Sequence, residues 1–206
     1  MALVYKAQLR PSKMELLAQW LPQQPWFDAA DGDLVRLGSF RFDDPDGGVG
    51  LETILVGAGH RAYQVPLSYR GAPLDGAEAF LVGTMEHSVL GSRWVYDAAA
   101  DPVYVRALAA ALLTGTPQAV EMRETDGVME TLPATATLAS TGTAAAVPAL
   151  APGTPTTSDA LTVVPAGALT LRIARGLDLS GVVHGAPALT VTWAGQDVPV
   201  HLAGPA

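Results

Sequence analysis

Between Asp33 and Tyr96 the chain is built of short apolar or alternating runs separated by turns rich in glycine, aspartate and proline. Strands need few residues each and reverse at such turns, so this texture restricts the segment to an antiparallel meander. The expected strands are Leu34–Phe42, Leu51–Val56, Ala62–Tyr69, Ala79–Gly83 and Arg93–Tyr96. Asp43-Asp44-Pro45-Asp46-Gly47-Gly48 carries the residues that favour a reversal and predicts a hairpin between the first two.

Two helices flank the meander. Ser12-Lys13-Met14-Glu15 has the spacing of a capping box, with Leu16, Leu17, Trp20 and Leu21 on one face behind it and Pro22 and Pro25 ending the helix. Asp101-Pro102 supplies an N-cap and a first-turn proline, and Gly115 stands where a C-terminal cap belongs. The segment between, Val103 to Leu113, is expected to pack across the sheet through Val105, Leu108, Ala109 and Leu112. The fold class is therefore α+β.

After Gly115 the character shifts, and from Pro133 to Asp159 the chain is Ala, Thr, Pro, Ser and Gly with almost no charge. This composition predicts a linker or mobile stretch over 131–160. Beyond it, Leu161–Val164, Leu169–Arg175, Leu189–Trp193 and Val198–Leu202 read as strands. The sequence leaves open whether they join the first sheet. A second β unit over 161–206, packed on a first domain spanning 1–130, is the expected organisation.

Composition removes several functions. Hydrophobic residues make up 49% and charged residues 16%, which predicts a folded chain. A net charge of −8, from 12 basic and 20 acidic residues, repels phosphate backbones and anionic lipid, so neither nucleic acid nor a membrane is an expected partner. The absence of cysteine excludes disulfides, thiolate nucleophiles and Cys-based metal sites. The first residues lack the pattern of a signal peptide, and no run reaches the length of a spanning helix, so a soluble, cytoplasmic protein is expected.

Several motifs invite chemistry and fail its physical requirements. Gly57-Ala58-Gly59-His60-Arg61-Ala62 matches a dinucleotide fingerprint, but Tyr63–Tyr69 behind it alternates as a strand and contains Pro66, so no helix N-terminus receives a pyrophosphate. A hairpin turn is expected instead. Asp43, Asp44, Asp46 and Glu52 lack the spacing of a calcium loop and read as a solvated turn. His60, His87, His184 and His201 lack the spacing of a zinc site. No metal or cofactor is expected. His87 and Ser88 are neighbours on a strand and point to opposite faces, so they make no nucleophile and base pair.

The run Gly83–Asp97 is the densest concentration of carboxylate, imidazole, guanidinium and aromatic groups. Glu86, His87, Arg93, Trp94 and Tyr96 could form a ligand or partner surface, since aromatic faces stack on sugar rings while Glu and Arg bond hydroxyls. The alternative is a core strand pair with Trp94 buried and Arg93 paired to Glu86, and the balance favours it.

Leu16-Leu17-Ala18-Gln19-Trp20-Leu21-Pro22-Gln23-Gln24-Pro25-Trp26-Phe27, Tyr63–Gly71 and Gly83–Asp97 together resemble the N-terminal cap domain of maltokinases and related aminosugar kinases, over residues 12 to about 115. Pro25 replaces the arginine usual before the second tryptophan. The resemblance implies a curved, cystatin-like antiparallel sheet with packed helices over 1–130, as a cap detached from its kinase. Phosphoryl transfer on a kinase fold needs a strand lysine, an H-x-D loop and an Asn for magnesium. No asparagine is present, no histidine is followed two residues later by Asp, and Lys6 and Lys13 both precede the sheet. The resemblance thus implies a non-catalytic accessory, binding or regulatory protein in α-glucan or trehalose metabolism. Its implied partner is a sugar kinase, a glucan-metabolising enzyme or a carbohydrate. The alternatives are a subunit active only with a catalytic partner and a structural interaction module.

Overall fold

The computed structural model describes residues 2–28, 33–125 and 127–206. After two short strands, β1 (Ala2–Leu3) and β2 (Leu9–Arg10), the capping box closes: Ser12 Oγ accepts from the Glu15 amide, and the Glu15 carboxylate accepts from the Ser12 amide. Helix α1 then runs Lys13–Trp20 and tightens into a 3-10 turn at Leu21–Gln23, where Pro22 has no N–H to continue it.

Five longer strands follow: β3 (Leu34–Phe42), β4 (Gly50–Ala58), β5 (Arg61–Arg70), β6 (Leu81–His87) and β7 (Gly91–Asp97). With β2 they make a strongly curled antiparallel sheet in the order β2-β6-β7-β5-β4-β3. The fingerprint-like glycines are the β4–β5 turn, with Gly59 at φ 56°. The strand expected at Ala79–Gly83 is displaced: Glu78–Phe80 is a 3-10 turn, and β6 extends instead to His87. The continuous apolar run at 79–82 masked a strand in which Val82 and Met85 join the apolar cluster while Leu81 is exposed and Thr84, Glu86 and His87 are polar.

Helix α2 (Pro102–Thr114) is capped by Asp101, whose carboxylate accepts from the Val103 amide at 3.0 Å, and ends on Gly115 in the left-handed region at φ 68°. Its buried residues are Tyr104, Val105, Leu108, Ala109, Ala111 and Leu112, a band wider than the single face expected. The reason is that α2 lies between two sheets. The second sheet comprises β10 (Ala136–Ser140), β11 (Thr156–Ser158), β12 (Leu161–Ala166), β13 (Leu169–Ala174), β14 (Leu189–Trp193) and β15 (Gln196–Pro205), ordered β10-β14-β15-β13-β12-β11. A small sheet joins β1 in parallel to the hairpin β8 (Glu121–Thr125) and β9 (Val128–Thr131).

The stretch 131–160, expected as a linker, contributes β10 and β11. Ala136 to Ser140 pairs with β14 along its whole length, and just before it Thr135 passes close to Gly38 and Ser39 of β3. A Cβ on Gly38 would stand 2.7 Å from the Thr135 carbonyl oxygen, and the Thr135 hydroxyl bonds both the amide and the carbonyl of Ser39. Residues that look featureless in sequence are selected here for close approach.

Two apolar clusters result. Phe40, Phe42, Leu51 and Leu55 face α2, together with Leu171, Ile173, Val191 and Leu202 of the second sheet. On the opposite face, Ile54, Val56, Val65 and Leu67 pack on Leu16, Leu17, Leu21 and Trp26. Covered on both faces, β4 and β5 are buried along nearly their whole length, β4 as an apolar run over 54–56 and β5 with Gln64 and Ser68 buried among its apolar residues.

Arg175, immediately after β13, joins the sheets and is fully buried. Its Nη2 donates to both Asp97 oxygens at 2.9 and 2.7 Å, its Nε donates to Thr162 at 2.7 Å, and its guanidinium lies 5.3 Å from the Trp26 ring centre. Gln64 repeats the junction, donating through Nε2 to the carbonyls of Ala174 and Leu202 at 2.5 and 2.6 Å. Removing one member of such a pair leaves an uncompensated buried charge. Arg175→Met and Asp97→Ala should each lower unfolding stability by about 3–5 kcal/mol in urea titrations, and the double variant should lose clearly less than the sum. Additive losses would show that the two charges do not stabilise each other.

Candidate functional site

Period two along β4 puts Leu51 and Leu55 against α2 and Ile54 and Val56 against α1, so Glu52 falls on the α1 side. It is buried, and cations from separate elements converge on it. Lys13, the first residue of α1, hydrogen-bonds Glu52 Oε2; Arg41, directly across on β3, donates to the same oxygen at 3.2 Å; Arg36 stands 3.5 Å from Oε1. The Tyr69 hydroxyl of β5 donates to Oε2 at 3.1 Å. Arg41 reaches further, its Nε lying 3.6 Å from Glu121 on β8.

Burial alone would raise the Glu52 carboxyl, but the charges of Lys13, Arg41 and Arg36, with the Lys13 hydrogen bond, outweigh it and bring it down to about 2. For Lys13 the balance runs the other way. Burial lowers it, and the repulsion of Arg41 and Arg36 adds to burial, while Glu52 alone opposes them. Three cations sharing one carboxylate explain both directions. Tyr69 is pushed well above its ordinary value by burial and by the adjacent Glu52 charge.

Lys13, Arg41 and Tyr69 of this cluster line a cavity of about 430 Å³. Its walls are Tyr5 and its neighbours in the first strand segment, the 43–50 turn, and the β6–β7 hairpin with Met85, His87, Leu90 and Arg93. Asp44 lines it but is spent on its own loop, accepting from the amides of Asp46, Gly48 and Val49. Arg93 donates from Nη2 to the Leu90 carbonyl at 2.5 Å, and its Nε is buried without a hydrogen-bond partner. His87 Nδ1 accepts from the amides of Val89 and Leu90 at 3.2 and 3.1 Å, which fixes the ring against Tyr5 at 5.8 Å between centres. Burial, then the Arg93 charge, lowers the His87 pKa. What faces the cavity is a set of charged donors and aromatic surfaces, suited to holding a ligand in orientation.

The residues singled out in sequence divide between two faces of the β6–β7 pair. His87 and Arg93 line the cavity. Glu86, Trp94 and Tyr96 alternate to the other face: Glu86 accepts from the Ser92 hydroxyl at 2.6 Å, Trp94 is half-buried opposite Arg70, and the Tyr96 oxygen accepts from the Leu74 amide at 2.9 Å. The proposed Arg93–Glu86 pair is replaced by Arg93–Leu90 and Glu86–Ser92. Sequence reading missed Lys13, Arg36, Arg41 and Tyr69 and assigned Glu52 to a solvated turn. A lone carboxylate within the apolar run Leu51–Val56 was the available signal. Among the described residues no group of three potential metal ligands occurs, and no helix is long and apolar enough to cross a membrane.

Comparison with known families places the sheet that carries these residues. The model of the maltokinase N-terminal cap domain matches residues 20–101. The matched span is less than half of the 206-residue chain and runs from the end of α1 through β7 to the cap residue of α2. It contains Arg36, Arg41, Glu52, Tyr69, His87 and Arg93, but neither Lys13 nor Tyr5. No curated protein matches the chain.

Glu52 makes stability depend on acidity. Its pKa in the folded state lies below the unfolded value of about 4.5, so its contribution is complete above that pH and disappears as the pH falls toward 2. The drop corresponds to a loss on the order of 3 kcal/mol. Urea midpoints should therefore fall steeply between pH 4.5 and 2.5 for the native chain. Glu52→Gln should be destabilised already at pH 7 and show a flatter acid limb; an acid limb of unchanged slope in that variant would remove Glu52 as its source.

Proposed function

We propose that this protein is a non-catalytic binding or regulatory module related to the cap of maltokinase-type sugar kinases. It acts in α-glucan or trehalose metabolism through a sugar kinase, a glucan-metabolising enzyme or a carbohydrate. The observation that carries the reading is the overlap of the span similar to the maltokinase cap with the β3–β7 sheet and with most of the polar lining of its cavity. A binding role also suits the chemistry of that lining. Its charged groups are held by one another, as in Lys13–Glu52–Arg41, and its aromatic walls offer contact area rather than a nucleophile or base.

Two measurements test this reading. The purified chain with ATP and maltose, glucose or glucosamine should show no ATP consumption, and turnover that persists through repurification would overturn the non-catalytic assignment. Isothermal titration with maltose, maltooligosaccharides, trehalose and the catalytic lobe of a maltokinase should give saturable binding to at least one. Silence across the whole set would remove the link to glucan metabolism.

A further inference from the structure

The cavity lined by Lys13, Arg41 and Tyr69 above Glu52 carries more cationic donors than the acceptors around them engage. Glu52 accepts from Lys13, Arg41 and Tyr69 and is paired to Arg36, so one carboxylate answers three cations. Glu121 takes only a share of Arg41, at 3.6 Å, and Arg41 Nε is buried without a hydrogen bond. Arg93, from the β6–β7 hairpin, meets the Leu90 carbonyl through Nη2 and likewise keeps a buried, unpartnered Nε. Two carboxylates, Asp43 and Asp44, share the lining and offset part of this charge, but both Asp44 oxygens already accept from loop amides, so Asp44 leaves the guanidinium donors unengaged. In a chain whose net charge is −8, convergence of Lys13, Arg41 and Arg93 on one recess concentrates positive charge where the rest of the molecule disperses negative charge.

Buried guanidinium groups with unspent donors are costly unless an acceptor completes them, and anions make the strongest such acceptors. Lys13, Arg41 and Arg93 come from three separate elements, α1, β3 and β7, and all line the cavity. A carboxylate meets a single fork in one plane; donors converging from several elements suit the tetrahedral oxygens of a phosphate. Around them Tyr5, Met85 and Leu90 add apolar and aromatic wall, and about 430 Å³ exceeds what a bare inorganic ion fills.

We propose that this cavity is an anion site whose ligand is a compact organic phosphate: the phosphoryl group sits among Lys13, Arg41 and Arg93, and its ester substituent lies against the Tyr5 wall. The assignment deepens the reading of the cavity as a binding site but needs no sugar and no kinase partner. Failure of the maltose and kinase titrations leaves it standing.

The test titrates the full chain, labelled with ¹⁵N, with inorganic phosphate, glycerol 3-phosphate and glycerol at constant ionic strength, following amide shifts. Glycerol 3-phosphate should saturate, moving the amides of Lys13, Gly50, His87 and Arg93 and binding several-fold more tightly than inorganic phosphate, while glycerol produces no saturable change. Arg93→Met should weaken glycerol 3-phosphate at least tenfold. Arg93 is the variant of choice because its side chain takes no part in the Glu52 cluster, and an unchanged amide spectrum away from β6–β7 verifies folding. Arg106→Met, an exposed cation on α2, should leave binding unchanged. Equal affinity for inorganic phosphate and glycerol 3-phosphate would overturn the organic part and leave a site for free phosphate. Shifts scattered over surface cations, or full affinity in Arg93→Met, would reduce the interaction to an adventitious ion only and sink the proposal.

Discussion

A single buried ion pair decides how the two sheets meet. Arg175 could not be placed at full burial without Asp97, since an isolated guanidinium in an apolar interior costs far more than packing returns. Once the pair forms, much else is determined. Arg175 sits one residue past β13, so fixing its head on Asp97 at the end of β7 fixes the approach of the second sheet to the first. Its carbonyl accepts from the Gln64 amide and the Leu177 amide donates to Ala62, making Tyr63 and Gly176 a two-residue bridge between sheets. Trp26, under the guanidinium, packs in turn on Tyr63 at 6.0 Å. The polar junction therefore also orients the segment leaving α1, and through α1 the position of Lys13.

Glu52, two strands from Asp97 in the same register row through Leu67, follows the same logic. Burying a carboxylate beneath α1 is tolerable because strand register, bulge and helix start deliver a cation from each side: Arg41 by direct pairing, Arg36 beside the β3–β4 bulge, Lys13 by the helix itself. Lys13 and Arg41 thereby bring positive charge to the cavity lining, which Asp43 and Asp44 offset in part. Stability and ligand chemistry are linked here, because the group that neutralises these cations also sets how much charge remains for a ligand.

Elements with local causes were legible in the sequence. The capping box at Ser12, the Asp101-Pro102 start and Gly115 stop of α2, the β3–β4 and β4–β5 turns, and the strands β3, β5, β14 and β15 all follow from residues within a few positions of one another. What was missed depends on partners far away in the chain. β10 is a strand because β14 accepts it, about fifty residues later, and Ala-Thr alternation alone does not announce that. The extra burial of α2 needs a second sheet on its far side. At the site, His87 and Arg93 were found because they stand in a dense polar run, whereas Lys13, Arg41 and Tyr69 are ordinary in sequence and acquire meaning only by converging on Glu52 from three elements. Period-two reading of Leu51–Val56 would have placed Glu52 under cover, and it was the one part of the cluster available from sequence.

Of the three buried carboxylates in the span similar to the maltokinase cap, Asp101 is neutralised within it by Arg70, whereas Asp97 relies wholly and Glu52 in part on cations from outside it. Asp97 lies within residues 20–101 and its partner Arg175 does not; Glu52 lies within and Lys13 does not. Taken alone, the matched span would keep Arg36 and Arg41 for Glu52 but leave Asp97 without its guanidinium and Ile54, Val56 and Val65 without the α1 residues Leu16 and Leu17. The cap-like sheet of this chain is thus not an independent unit to which a β segment has been appended. Its interior charges are balanced, and its curved face covered, by residues 12–17 on one side and 160–205 on the other, so the cavity is a property of the whole chain rather than of the matched sheet. Ligand selectivity at that cavity is accordingly set as much by Lys13 and Tyr5, outside the match, as by Arg41 and Arg93 within it.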